Sequence, residues 1–247
     1  MKRTISIFIL LLIPVISSCQ IVRSLGVQVV DYPPPSVEPL SMAAFEEAGC
    51  AIDEDGWWAC PEDGPITSLR CDRIKPTDAL LSALEPARPL AECLSYPTQH
   101  QQDDPAAFDA PRLYNEGCLL PVYVRYVMFE EEEFITLNSL DDLKTAFTPL
   151  RSSEEALAYA VAATGLQAKF DLKRQANFRY LTDRLEDSHA VEATNGYEVL
   201  LYHYQICGCG PHTTTAVWLE VNRDGSLREI SRTPAYENPE EDNLCVD

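Results

Sequence analysis

Basic residues are scarce in this chain. Its 247 residues hold 19 Lys and Arg against 39 Asp and Glu, a formal charge of −20 at pH 7. A surface of that sign repels nucleic-acid phosphates and anionic lipid head groups, which argues against a nucleic-acid partner and favours solubility and cationic ligands. Histidine is scarcer still: His100, His189, His203 and His212 are the only imidazoles available as general bases. Gly-x-Ser-x-Gly, His-Glu-x-x-His and Gly-x-x-x-x-Gly-Lys are all missing, and with them the signatures of α/β-hydrolases, zinc proteases and P-loop phosphate binders. Ser188-His189 reads as a turn entering a strand rather than as part of a triad. Carboxylate pairs carry no signal, because so many acids bring some together by chance. Beyond the first eighteen residues, no apolar run is long enough to span a bilayer.

What is present begins with an address. Met1, Lys2 and Arg3 lead into an apolar run from Ile5 to Ile16, interrupted by Ser6 and Pro14, and small residues precede Cys19. A basic lead, a short apolar stretch and small residues describe a secretory signal, and the run is too short for a permanent spanning helix. Ile16-Ser17-Ser18-Cys19 resembles the lipobox of bacterial lipoproteins. The resemblance implies cleavage after residue 18 and diacylglycerol on the Cys19 thiol, with acyl chains such as palmitate holding the mature chain to its membrane. It also implies an extracytoplasmic address in a bacterial envelope. Because Gln20 follows the cysteine where inner-membrane retention usually uses Asp, the outer membrane is expected if the host has two. Without residues 1–18, which contain Lys2 and Arg3 and no acid, 17 basic residues face 39 acids, a net of −22.

The other eight cysteines are Cys50, Cys60, Cys71, Cys93, Cys118, Cys207, Cys209 and Cys245. An even number in an exported chain reads as four disulfides, although spacing does not give the pairing. Five lie at or before residue 118 and three at or after 207, so full pairing within the chain requires a bridge between the two groups.

The expected organisation is a signal peptide over 1–18 and a lipidated, Pro-rich tether over 19–45 that contains Pro33-Pro34-Pro35 and Pro39. A cysteine-rich, loop-heavy subdomain over 46–120 and an α+β domain over 121–247 follow. Within 46–120 the clearest helix is Thr77 to Glu85, with Leu80, Leu81 and Leu84 on one side and Pro86 ending it. Alternation from Val122 to Phe129 predicts a strand, and Glu130 to Glu133 a solvated turn. Ser139 with Asp142, and Ser152-Ser153-Glu154-Glu155, predict two capped helices, the second carrying Leu157, Val161 and Thr164 and stopped by Gly165. Asn195-Gly196 predicts a hairpin turn between 189–194 and 197–206, and strands follow over 213–221 and 226–232. The fold class is therefore α+β and disulfide-stapled: a cysteine-rich N-terminal part, then helices packed on an antiparallel β-meander. In shape this resembles the small helix-and-meander modules of exported bacterial proteins, such as the PepSY type, without a shared motif.

Three stretches could carry chemistry. His203, Cys207 and Cys209 fall on one face of an extended strand and His212 follows Gly210-Pro211, a donor set competent for Zn or Cu, or for thiol redox chemistry at Cys207-Gly208-Cys209. The spacing matches no established zinc motif, the redox pair lacks an activating helix N-terminus, and exported cysteines default to bridges. Asp53, Asp55, Gly56 and Glu62 match part of a calcium loop, but Ala51 occupies its first place and an acidic turn is the simpler reading. Trp57-Trp58 reads as the miniature core of a stapled subdomain before it reads as an exposed platform. The functional expectation is a lipid-anchored, non-catalytic envelope protein with a binding or structural role, its partner an envelope protein or small ligand. The alternative is an envelope metal-binding or thiol-redox protein using His203, Cys207, Cys209 and His212.

Overall fold

The computed structural model describes residues 26–100 and 105–247. The signal peptide, Cys19 and Gln20 lie outside the described residues. The described residues open with strand β1 (Gln28–Val30) and helix α1 (Ala43–Glu47). The segment expected as a spacer is laid along the body from Gln28 on: β1 pairs in parallel with Arg184–Glu186, Leu40 packs on the main core, and Phe45 is fully buried. Its alternating apolar residues bury more than a solvated polyproline stretch would.

The first sheet is antiparallel and uses β2 (Ala51–Ile52), β3 (Trp58–Ala59), β4 (Arg73–Pro76), β5 (Leu90–Ser95), β6 (Tyr114–Glu116), β7 (Val122–Glu130) and β8 (Glu133–Leu137). Their order is β2-β3-β4-β5-β7-β6, with β8 also on β7, so one sheet carries strands from both sides of residue 120. β7 is central and buried on both faces, which its near-continuous apolar text allows. Between β7 and β8, Glu131 and Glu132 have φ of 50° and 66°, a two-residue turn of the primed kind. A short helix α2 (Pro97–His100) follows β5.

The helix expected over Thr77–Glu85 is instead a 3-10 turn, Ala79–Ala83, capped by Asp78, whose carboxylate accepts from Leu80 N at 2.8 Å. Confined between Pro76 and Pro86, the segment is too short to recover the cost of nucleating an α-helix, and the tighter turn delivers Leu80, Leu81 and Leu84 to the core. Both later helices form as the caps predict. In α3 (Leu140–Phe147) Ser139 Oγ accepts from Asp142 N, and in α4 (Ser153–Thr164) Ser152 Oγ accepts from Glu155 N at 3.1 Å while Glu155 Oε2 accepts from Arg151 N. Gly165 ends α4 at φ 68°, where a Cβ would also collide with the Tyr114 ring at 2.4 Å.

The second sheet follows. Short strands β9 (Arg179–Tyr180) and β10 (Arg184–Glu186) precede β11 (His189–Glu192) and β12 (Gly196–Tyr204); β13 (Gly208–Cys209), β14 (Thr213–Asn222), β15 (Leu227–Glu237) and β16 (Cys245–Val246) complete the chain. The antiparallel order is β11-β12-β14-β15-β9, while β13 pairs with β16. The expected β11–β12 hairpin forms, but its turn falls on Thr194-Asn195, with Ala193 N donating to Gly196 O. Neither Asn195 nor Gly196 takes positive φ, and Gly196 instead allows a close approach, since a Cβ there would meet Val221 O at 2.2 Å.

α4 serves both sheets rather than the meander alone. It touches the Ala79–Ala83 turn on one side and β11, β12 and β14 on the other, within one core joining Leu90, Tyr126 and Met128 to Val199, Leu201 and Val217. Buried positions surround it, so its small Ala156, Ala158, Ala160 and Ala162 let both neighbours approach closely. The opposite face of the second sheet carries Leu200 and Tyr202, which pack with Tyr180, Leu185 and Ala235 in a smaller cluster.

Candidate functional site

The eight body cysteines are all bridged: Cys50–Cys60, Cys71–Cys93, Cys118–Cys207 and Cys209–Cys245. Cys118–Cys207 is the link between the early and late cysteines. The donor set expected at His203, Cys207, Cys209 and His212 is not assembled. Both sulfurs are consumed by bridges to different partners. His203 lies largely exposed on β12 opposite Thr215, and the partial covering of its ring together with nearby Arg232 lowers its pKa. His212 is buried, with Nδ1 2.9 Å from Gln205 O and Nε2 3.0 Å from Leu244 O, so each ring nitrogen faces a main-chain carbonyl. Among the described residues no group of three or more His, Cys, Asp or Glu is placed to hold a metal ion.

The other stretches resolve locally. Asp53 Oδ1 accepts from Asp55 N and Trp57 N, which makes the acidic stretch the turn of the β2–β3 hairpin. Trp58 is buried against Phe45, ring centroids 5.8 Å apart, whereas Trp57 is only half-buried, with the Arg73 guanidinium over its face. His100 Nε2 lies 2.7 Å from Asp72 at the surface. His189 is buried, stacked on Tyr32 at 3.6 Å, with Nδ1 2.7 Å from Asp187 O.

What the His203–His212 segment does build is a wall of a cavity of about 250 Å³ on the outer face of the second sheet. Three separate pieces of chain converge there. The first follows α4: once Gly165 has ended the helix, Gln167 pairs with Tyr202 through N–H to carbonyl bonds of 2.8 and 2.9 Å, and Lys169 N donates to Ser188 Oγ at 2.9 Å. This extended course places Lys169 at the cavity. The second is the sheet itself, which presents Tyr204 and Thr214 from neighbouring strands and Tyr236 from β15. Phe178 stacks on Tyr236, centroids 5.3 Å apart. The third is the C-terminal stretch, tied down by Cys209–Cys245 and by Gly210 N to Leu244 O, which supplies Asn238 and Glu241.

The electrostatics of this cavity are uneven. The Glu241 carboxylate accepts from Tyr204 Oη at 2.7 Å and from Asn238 Nδ2 at 3.0 Å, and these donors hold its pKa below the usual range. Burial, aided by that carboxylate, pushes the Tyr204 hydroxyl up to about 12. Lys169 differs. Its ammonium has no hydrogen-bond or ion-pair partner among the described residues, and burial lowers its pKa. A larger cavity of about 600 Å³ lies between residues 36–41 and the Ser82–Pro89 stretch, but its cation, Arg88, is held by Glu130 and by Ala146 O. Spacing and motifs flagged neither Lys169 nor Glu241, since a lone lysine in a segment without periodicity carries no signal.

The fold and its bridges define a disulfide-stapled α+β protein with a cavity of mixed polarity on one sheet. Four closed bridges in one body match an oxidising, extracytoplasmic compartment. No helix among the described residues is long and apolar enough to cross a membrane. No protein-family model matches the chain, and comparison with curated proteins and with solved structures likewise finds no match.

Proposed function

We propose that this chain is a lipid-anchored protein of a bacterial cell envelope, held to its membrane through Cys19, whose stapled body has a binding rather than a catalytic role. The observation that supports it best is the state of the sulfurs. Every body cysteine is used in a bridge, including both of the segment where metal or redox chemistry was most plausible from sequence. Sulfur held in a bridge is neither a thiolate ligand nor a nucleophile. One of the bridges, Cys209–Cys245, instead braces the C-terminal stretch that frames the cavity.

Two measurements on the mature protein test this reading. Intact mass with thiol alkylation is expected to show eight hydrogens fewer than the reduced chain and no alkylated thiol in the body, matching four bridges. Fractionation is expected to find the wild-type chain with membranes and labelled by fatty acid, and Cys19→Ala released or unprocessed. Alkylation at Cys207 and Cys209 would shift the reading to the metal or redox alternative, and unchanged lipid labelling of Cys19→Ala would defeat the anchor.

A further inference from the structure

We propose that the cavity around Lys169 binds a small organic carboxylate with an apolar body, the ammonium of Lys169 pairing with the carboxylate and the rings of Phe178 and Tyr236 contacting the rest. The proposal deepens the binding role above and rests on it.

The first ground is an imbalance of partners. Acids outnumber bases 39 to 19 in the chain, so a lysine that ends up half-buried has abundant counter-charge within reach of evolution. Lys75, similarly buried, has Glu92 at 2.8 Å. Lys169 has no such carboxylate, and its backbone is fixed by Ser188 so that the stem cannot simply swing to solvent with its segment. Taking a cation partly out of water without compensation costs free energy, which burial of this amine already registers as a lowered pKa. A structural lysine would be paired or replaced; an unpaired one at a cavity is a place kept for an external anion.

The second ground is the rest of the lining. Glu241, the one acid of the lining, has its oxygens turned to Tyr204 and Asn238. The carboxylate of the lining is therefore satisfied by the chain's own donors, and the Lys169 ammonium is the one charged group there without a partner among the described residues. Phe178 and Tyr236 supply the apolar wall. A cavity of about 250 Å³ fits a molecule of metabolite size. The acidic surface suppresses loose anion binding elsewhere, so such a site would stand out from background.

The test is titration of phenylacetate into the full chain with its bridges closed, followed by calorimetry and by ligand-observed NMR. Phenethylamine, of the same ring and opposite charge, is the control. Saturable binding of phenylacetate and none of phenethylamine is expected, with Lys169→Met weakening it about ten-fold or more and Lys169→Arg keeping most of it. Lys169→Met is also expected to melt at or above the wild-type temperature, because the methionine removes a charge that has no partner in the protein. No saturation by phenylacetate, equal binding to Lys169→Met, tighter binding of phenethylamine, or a Lys169→Met that melts clearly lower would each overturn the proposal. Its failure is separable from that of the proposed function, since membrane attachment and bridge closure are read independently.

Discussion

Cys118 and Cys207 stand 89 positions apart in sequence, yet their Cα atoms lie 5.5 Å apart across a disulfide. The other bridges close loops of 10, 22 and 36 residues. If bridges act chiefly by restricting the unfolded chain, the longest loop contributes most, about 4–5 kcal/mol here against about 3 for Cys50–Cys60. Replacing both Cys118 and Cys207 by serine should therefore lower the urea midpoint more than the same change at Cys50 and Cys60. The reverse order would mean that native-state contacts, rather than loop closure, set the ranking.

Asp187 should be among the costliest single positions. Its buried carboxylate accepts from three main-chain donors, Tyr32 N at 3.2 Å, Asp171 N at 3.2 Å and Leu172 N at 2.9 Å, and so pins the N-terminal segment and the chain leaving Lys169 to the start of β11. Asp187→Asn keeps the volume but turns an NH2 toward at least one N–H, leaving a buried donor unpaired. A loss of about 3 kcal/mol in chemical unfolding is expected. A loss below about 1 kcal/mol would show that these N–H groups find other partners.

Much of this architecture is legible in the sequence because it is local. The caps at Ser139 and Ser152 and the stop at Gly165 each act within four residues and form as read, whereas the hairpin expected at Asn195-Gly196 turns one residue earlier. Properties set by distant partners are not legible. The pairing of eight cysteines, the parallel docking of Gln28–Val30 on β10 and the all-round burial of α4 depend on which faces meet. The spacing of Leu157, Val161 and Thr164 marks the helix but not that Ala156, Ala158, Ala160 and Ala162 are buried as well, because that burial is set by neighbours on more than one side. The cavity was invisible for the same reason, as Lys169, Tyr204 and Glu241 come from three segments brought together by the sheet and by Cys209–Cys245.

The Glu131-Glu132 turn carries avoidable strain. Both residues sit at positive φ, a conformation that costs side-chain-bearing residues about 1 kcal/mol each and that Asn and Gly adopt readily. Glu131→Asn with Glu132→Gly should therefore stabilise the protein by about 1–2 kcal/mol, with removal of like charge next to Glu130 and Glu133 acting in the same direction. The check is the thermal midpoint with the first sheet's amide spectrum unchanged. A destabilised double variant would show that the glutamates are held by contacts worth more than the strain.

Acid should loosen the C-terminal wall of the cavity. The Glu241 carboxylate is depressed below its ordinary 4.5 by the Tyr204 and Asn238 donors. A carboxyl whose folded pKa is depressed contributes stability in full above the unfolded value, and that contribution is lost as pH falls through the folded one. The Tyr204 hydroxyl keeps its proton to about 12 and so remains a donor throughout this range. Glu92 acts in the opposite sense, because burial raises its pKa despite Lys75, so total stability against pH mixes the two signs. The difference between wild type and Glu241→Gln removes that mixture: Glu92 is common to both. Glu241→Gln should be less stable than wild type at neutral pH, with the gap closing from about pH 4.5 downward as the wild-type carboxylate protonates. Amide exchange at Glu241 and Leu244 should follow the same curve, since Glu241 N–H and Leu244 N–H bond within the 238–244 turn that the carboxylate braces. A gap that stays constant down to about pH 3 would mean that the carboxylate charge contributes nothing and that only the shape of the side chain matters.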